Sequence, residues 1–265
     1  MSKKTKMPAT QPLVIELANP NKFCAILEAV TLVNDSVIIK CYSEQICIKA
    51  IDKAKISFVD LQLENDSFSS YSIGSHLGTC VDIGINIKLL VNIIKIAAKD
   101  SAYVRLSYPV GSDKLIVDND DSGTDRKHFE LALKNIVGDD LGEISDEFTS
   151  TIELESKKFQ SYISELAVFA NDFIFNHADN MFTISVKGDA GNGFIRTPVD
   201  DVAGENITLI LSMTYMQNIA SMTRLATKAT ICMAPTLPLM IHLTMDEKTA
   251  ACGTFRVYLA PKQED

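Results

Sequence analysis

One unit is written four times along this chain: an amphipathic helical stretch, a short polar stop, and a pair of strands with alternating apolar residues. The copies begin near Lys22 (KFCAILEAVTLVND, then SVIIKCY and ICIKAID), Leu89 (LLVNIIKIAAKD, then AYVRLSY and KLIVD), Phe159 (FQSYISELAVFAND, then FIFNHA and MFTISVKG) and Tyr215 (YMQNIASMTRLAT, then KATICMA and LMIHLTM). A unit with one apolar helix face cannot bury that face alone, so neighbouring copies must share sheets and a core. The spacing predicts two similar domains, each holding two helix-plus-sheet repeats. Few strands are separated by a helix-length crossover, so the sheets are expected to be mainly antiparallel and the class α+β.

At 265 residues and 46% hydrophobic, the chain can bury a sizeable core. No run reaches the roughly 18 apolar residues of a membrane helix, and MSKKTKMPATQP lacks the apolar stretch of a secretory signal, so no membrane partner is expected. Six cysteines, Cys24, Cys41, Cys47, Cys80, Cys232 and Cys252, sit inside apolar patterns without metal spacing and read as reduced core thiols. The formal charge of -9 does not decide for or against nucleic acid, because binding depends on where the basic residues cluster.

Residues 1–12 are polar and basic and read as a disordered lead-in. The first domain is expected over 13–133 and the second over 149–265. Between them, 134–148 contains KNIVGDDLGEISDE, with five acidic residues against one lysine. Gly138 and Gly142 would puncture a continuous element, so this is an extended linker, and its Ile136, Val137, Leu141 and Ile144 imply that it lies down on something. Strands are expected at 56–63 and 71–86. Phe23, Ile26, Leu27, Val30 and Val33 form a helical stripe behind the Asn19 cap, and Ile93, Ile94 and Ile96 belong to the apolar side of the second helix.

Catalytic constellations are scarce. His76, His128, His177 and His242 are scattered, with none beside a plausible nucleophile. The glycine-rich run at 188–193 joins two strand-like segments and reads as a hairpin turn, not a phosphate cradle. Residues 118–123 imitate the start of a calcium loop, but Phe129 stands where the bidentate glutamate is required. No cofactor, metal or enzymatic activity is expected.

The outward helix faces are more informative. Lys88, Asn92, Lys95 and Lys99 share one side of the second helix, Gln217, Ser221, Arg224 and Lys228 one side of the fourth, and Lys157 and Lys158 open the third. Separating basic faces on an acidic protein suits a polyanion bound without base readout. An ordinary solvated face fits these helices equally well.

The carboxyl-terminal sequence FRVYLAPKQED, from Phe255, closely resembles the ending of the proliferating cell nuclear antigen family, the DNA sliding clamps. Further matches follow in order: Ile26-Leu27-Glu28-Ala29, Ala50-Ile51-Asp52 with Ile56-Ser57-Phe58-Val59, Leu141-Gly142, Gly191-Asn192-Gly193 and Leu237-Pro238-Leu239. The resemblance spans 13–265. It implies a DNA-clamp fold assembled as a head-to-tail homotrimeric ring, helices inside and sheets outside, acting as a polymerase processivity factor and a platform for replication and repair proteins. A clamp loader and a nuclear or viral-replication-site location are implied with it.

By position, the resemblance implies subunit contacts through Phe129 and Leu131 on one edge and Gly193, Phe194 and Ile195 on the other. Sequence-independent contact with duplex DNA falls to Lys22, Lys88, Lys95, Lys99, Lys157, Lys158, Arg224 and Lys228. Partner peptides bearing a glutamine, an aliphatic residue and two aromatics are implied to enter a pocket of Ile51, Lys55, Ile56, Leu141, Gly142, Ile144, Pro238, Tyr258, Leu259, Ala260 and Pro261. For Ile56 and Leu259 a place in the sheet core remains open.

The chain departs from the family pattern where relatives present basic residues to the hole: Cys24, Ala25 and Thr31 stand in the first helix, and Ser161 and Ser164 in the third. The linker also lacks the proline expected after Leu141-Gly142. Weaker phosphate contact is therefore expected. The alternatives are a subunit of a heterotrimeric checkpoint-type clamp, or an enzyme using Asp118 to Asp121.

Overall fold

The computed structural model describes residues 12–17, 19–74, 79–101, 103–109, 111–119, 125–137, 147–169, 171–189, 191–200, 206–245 and 252–262. His76, Asp120, Asp121, Leu141, Gly142 and Ile144 lie outside these. Each repeat is completed by a strand that leads into its helix and a third strand after the expected pair; the strands expected at 56–63 and 71–86 hold such positions in the first half.

The first repeat is β1 (Leu13–Leu17), α1 (Pro20–Thr31), β2 (Ser36–Tyr42), β3 (Gln45–Ile51) and β4 (Ser57–Glu64), followed by the short β5 (Ser70–Ser72). The second is β6 (Cys80–Asn86), α2 (Ile87–Ala97), β7 (Val104–Tyr108), β8 (Lys114–Asn119) and β9 (His128–Ala132). The third is β10 (Ser150–Glu155), α3 (Ser156–Leu166), β11 (Asp172–Ala178), β12 (Met181–Gly188) and β13 (Gly191–Pro198). The fourth is β14 (Ile207–Ser212), α4 (Met213–Met222), β15 (Lys228–Met233), β16 (Leu239–Met245) and β17 (Gly253–Leu259).

The expected strand at 71–86 is thus two strands in different sheets. β5 pairs with β1 and β6 with β2, and Gly74, His76 and Gly78 separate them. The glycine-rich run behaves as expected, since Gly188 pairs with Gly191 across a two-residue connection.

Within each half the repeats trade their leading strands. β1 of the first repeat pairs with β7 of the second, while β6 of the second pairs with β2 of the first. The same exchange puts β10 beside β15 and β14 beside β11. All these pairings are antiparallel. The halves are then fused: β17 pairs with β4 through seven residue pairs centred on Arg256 and Asp60, giving an eight-stranded sheet ordered β10-β15-β16-β17-β4-β3-β2-β6. A five-stranded sheet, β5-β1-β7-β8-β9, completes the first half, and a four-stranded sheet, β13-β12-β11-β14, the second.

Helices pack in pairs, α1 on α2 and α3 on α4, and each pair touches both sheets of its half. Asn19 caps α1, its side chain accepting from Lys22 N–H at 3.1 Å, with Pro20 at the first helical position. Asn86 caps α2 by accepting from Leu89 N–H at 2.8 Å. The buried stripe of α2 is Ile87, Leu90, Val91, Ile94 and Ala97. Ile96, two residues from Ile94, falls on the far side at 48% exposure and is not core, because two residues rotate a side chain about 200° around a helix. Cys24, Cys41 and Cys232 are buried, and burial pushes the Cys24 thiol up to about 11 and Cys41 to about 12.

The segments that follow β9 and β17 meet a sheet edge in the same way. After β9, Lys134 N–H donates to the Gly84 carbonyl of β6 at 2.8 Å; after β17, Lys262 N–H donates to the Ile210 carbonyl of β14 at 2.8 Å. A Cβ at residue 84 would stand 2.1 Å from the Lys134 oxygen, so only glycine admits this crossing.

Candidate functional site

Three surfaces follow from this architecture. The first is the helical face. Lys88, Lys95, Lys99, Lys157, Lys158, Arg224 and Lys228 are exposed, and Lys22 is half-buried. Several are already engaged. Glu28 on α1 meets Lys95 of α2 at 2.5 Å and Arg224, in the turn after α4, at 3.8 Å. Lys228 meets Glu153 at 2.5 Å, and Lys158 lies 5.7 Å over the Tyr162 ring. The hydrogen bond that Lys95 donates to Glu28 holds its ammonium above the ordinary pKa, and the one Lys228 donates to Glu153 does the same. Among the described residues, Lys88, Lys99 and Lys157 have no acidic partner.

The second surface lies on the outer side of the eight-stranded sheet. Cys232, Met240, Tyr258, Phe58 and Ile51 are cross-strand neighbours in one rank spanning β15, β16, β17, β4 and β3. The Phe58 and Tyr258 rings stack at 5.4 Å, and Phe148 packs against the same cluster. Ile56 beside it is 37% exposed, and its carbonyl accepts from Ala260 N–H at 2.9 Å. Beyond Ile51 the rank opens into a 780 Å³ groove between the outer side chains of β2 and β3 and the linker residues Ile136 and Val137.

The turn carrying Ile56 is organised by Asp52. Its carboxylate accepts from the backbone N–H of Ala54, Ile56 and Ser57, and from the Tyr215 hydroxyl of the other half at 2.8 Å. Burial pulls this carboxyl up, but the Ser57 N–H, the Tyr215 hydroxyl and the remaining N–H groups outweigh it and leave the group below the usual carboxylate range. Lys55, at φ +58°, turns the chain back.

Of the residues expected in the pocket, Ile51, Ile56, Tyr258 and Ala260 come together here, with half-buried Pro238 at the end of the loop leading into β16 and half-buried Pro261 following Ala260. Leu259 does not face this surface: it alternates with Tyr258, points to the main core and is fully buried. Phe58, Met240, Cys232 and Phe148 were not anticipated. In SFVDLQL the inward set is Val59, Leu61 and Leu63, which leaves Phe58 as the aromatic on an otherwise polar face with Asp60 and Gln62; that alternation was a usable signal.

The third surface is a pair of sheet edges. β9 and β13 end their sheets, each with one edge that has no partner strand among the described residues. Phe129 and Ile195 are half-buried, Leu131 faces the core at 4% exposure, and Phe194 is 66% exposed. Apolar side chains that sequence reasoning did not assign to these edges flank both. Leu89 and Ile96 project from α2, whose Ile96 carbonyl accepts from Lys127 Nζ beside β9. Val168 and Phe169 follow α3, with the Phe169 ring packed over Gly191 and Gly193 of β13.

A chain of two doubled α+β halves, with helices paired on one side of continuous antiparallel sheets, is built as a DNA sliding clamp. Residues 13–140 match the family model of the proliferating cell nuclear antigen N-terminal domain, and residues 143–262 that of its C-terminal domain. The chain belongs to the proliferating cell nuclear antigen family, whose members serve DNA replication and repair as processivity clamps. It is 23% identical over 237 residues to the proliferating cell nuclear antigen of Chaetomium thermophilum, covering 85% of this chain and 88% of that one. Identity to the protein of the same name from Dictyostelium discoideum is 24% over 252 residues, 90% and 95% of the two chains. The crystal structure of proliferating cellular nuclear antigen from Entamoeba histolytica shares the fold, with a TM-score of 0.82 over 97% of this chain and all of that one at 18% identity. The checkpoint-type alternative is not favoured by these matches.

Proposed function

We propose that three copies of this chain close head to tail into a ring around duplex DNA, tethering replication and repair proteins without a catalytic step of their own. The last strands of the four repeats carry this reading. Two of them, β4 and β17, pair with each other inside the chain; the other two, β9 and β13, are left open, each beside exposed apolar side chains. Open edges of this kind invite another chain, and pairing β9 with β13 of a neighbour removes both. The two edges differ in composition, so the contact is heterologous, and a heterologous contact closes when the rotation per copy divides the circle. Phe129 and the backbone of Leu131 meet Gly193, Phe194 and Ile195 across it.

The helical face then lines the hole, and Lys22, Lys88, Lys95, Lys99, Lys157, Lys158, Arg224 and Lys228 meet phosphates without reading bases. The aromatic rank on the outer sheet receives a peptide with a glutamine, an aliphatic residue and two aromatics, whose rings seat beside Phe58 and Tyr258. Polymerases and other replication factors carry such peptides, a clamp loader opens the ring, and the protein works in the nucleus or at a viral replication site. Native mass measured across a dilution series tests the ring: three times the 29.1 kDa chain mass, persisting on dilution, is expected, and a monomer at every concentration overturns it.

A further inference from the structure

The helical face carries an acid where a DNA-facing surface has no use for one. Glu28 lies in α1, and its two oxygens serve cations from different halves of the chain: Oε1 meets Lys95 Nζ of α2, and Oε2 meets Arg224 Nη2 after α4. All three side chains stay open to solvent, at 36% exposure for Glu28, 49% for Lys95 and 55% for Arg224. A carboxylate shared by an ammonium and a guanidinium offers them what two phosphate oxygens would offer. Exposed pairs of this kind are weak and exchange readily.

We propose that Glu28 is a resident substitute for DNA phosphate: it holds Lys95 and Arg224 until a phosphate displaces it, and so loosens the grip of the ring on DNA. The inference rests on the reading that this face meets duplex DNA. When a phosphate takes Lys95 or Arg224, the vacated carboxylate gathers a cation from solution, which offsets the counterion released from the duplex. Each cation held this way removes about 0.9 from the slope of log affinity against log salt. Glu28 thus makes DNA contact both weaker and less salt-sensitive than the number of basic residues implies.

The test is association of the assembled protein with a short fluorescent duplex across a salt series. Relative to wild type, E28Q is expected to tighten binding about threefold to tenfold at low salt and to steepen the slope by about 0.9 for each Glu28 that a phosphate would have displaced. Adding K95Q is expected to cost more affinity in the E28Q background than in the wild-type background, because only there is Lys95 released from its partner. E28S, shorter and uncharged, repeats the measurement if the amide perturbs folding. A K157A/K158A variant separates the two ideas. If it weakens binding while E28Q and E28S bind no tighter than wild type, the Glu28 inference is overturned and the DNA-facing reading stands; if it leaves binding unchanged, the DNA-facing reading itself falls.

Discussion

One seam joins the two α+β halves of this protein, and the ring proposed above would add a second at edges that stand open in the single chain. At the internal seam β4 and β17 run antiparallel, the Tyr215 hydroxyl reaches Asp52, and Glu28 reaches Arg224 beneath the sheet. At the open seam the equivalent last strands β9 and β13 end their sheets, flanked by Leu89 and Ile96 on one side and Val168, Phe169 and Phe194 on the other. The contrast is chemical as well as topological. A seam within one chain forms at a fixed effective concentration and stands on a continuous sheet and a few polar ties. A seam between chains must overcome the cost of association, and here the exposed apolar side chains collect.

Phe194→Asp is the change that breaks the comparison most severely. It places a charge in the centre of the open seam, and we expect a loss of at least ~3 kcal/mol per contact, with native mass falling to that of one chain while the thermal midpoint of the protomer barely moves. A trimer that survives this change would mean that β13 is not the joining edge. Next is Tyr258→Ala, at the rank that crosses the internal seam on its outer side. Binding of a peptide with the glutamine, aliphatic and double-aromatic pattern should weaken by about 2 kcal/mol, roughly thirtyfold in Kd, with trimer mass retained.

Asp52→Asn sharpens the internal seam. It exchanges charge-assisted hydrogen bonds from three N–H groups and the Tyr215 hydroxyl for weaker ones, and we expect a loss of about 1–2 kcal/mol, read from chemical denaturation. The folded carboxyl titrates below its unfolded value, so its stabilisation is present above the ordinary carboxylate range and lost as pH falls through the lowered value. Wild type should therefore lose stability to acid below about pH 4 more steeply than Asp52→Asn. The smallest effect belongs to Arg224→Gln. Its pairing with Glu28 is long and exposed, and protomer stability should move by no more than about 0.5 kcal/mol.

The helices were legible because each writes its buried stripe in its own few turns: Phe23, Ile26, Leu27 and Val30 needed no distant partner to be read. The exchange of β1 and β6 between repeats was not, since an alternating pattern states that a strand has two faces and says nothing of its neighbour. Ile96 shows a related limit. Its apolarity counted toward the core of α2, yet it lies on the face beside an open edge, and periodicity cannot separate an apolar residue meant for the chain's own interior from one meant for another chain. At the outer site Tyr258 and Ile51 came from family likeness, whereas Phe58, which the alternation in SFVDLQL already sets on the polar face, was tied to both only by the registers of β3, β4 and β17. Glu28 was readable as a residue and unreadable as a partner, because Lys95 and Arg224 reach it from distant parts of the sequence.

Pairing β4 with β17 has a consequence for how the chain is made. Synthesis delivers β4 early and its partner last, and β1 likewise waits for β7. A growing chain therefore carries β4 with one edge paired to β3 and the other open until Gly253–Leu259 has been made. Such long-range pairing is slow, and the exposed edge can recruit a neighbouring nascent chain. The seam between the halves therefore closes only after β17 has emerged, although the remaining strand pairs of the first half are available long before.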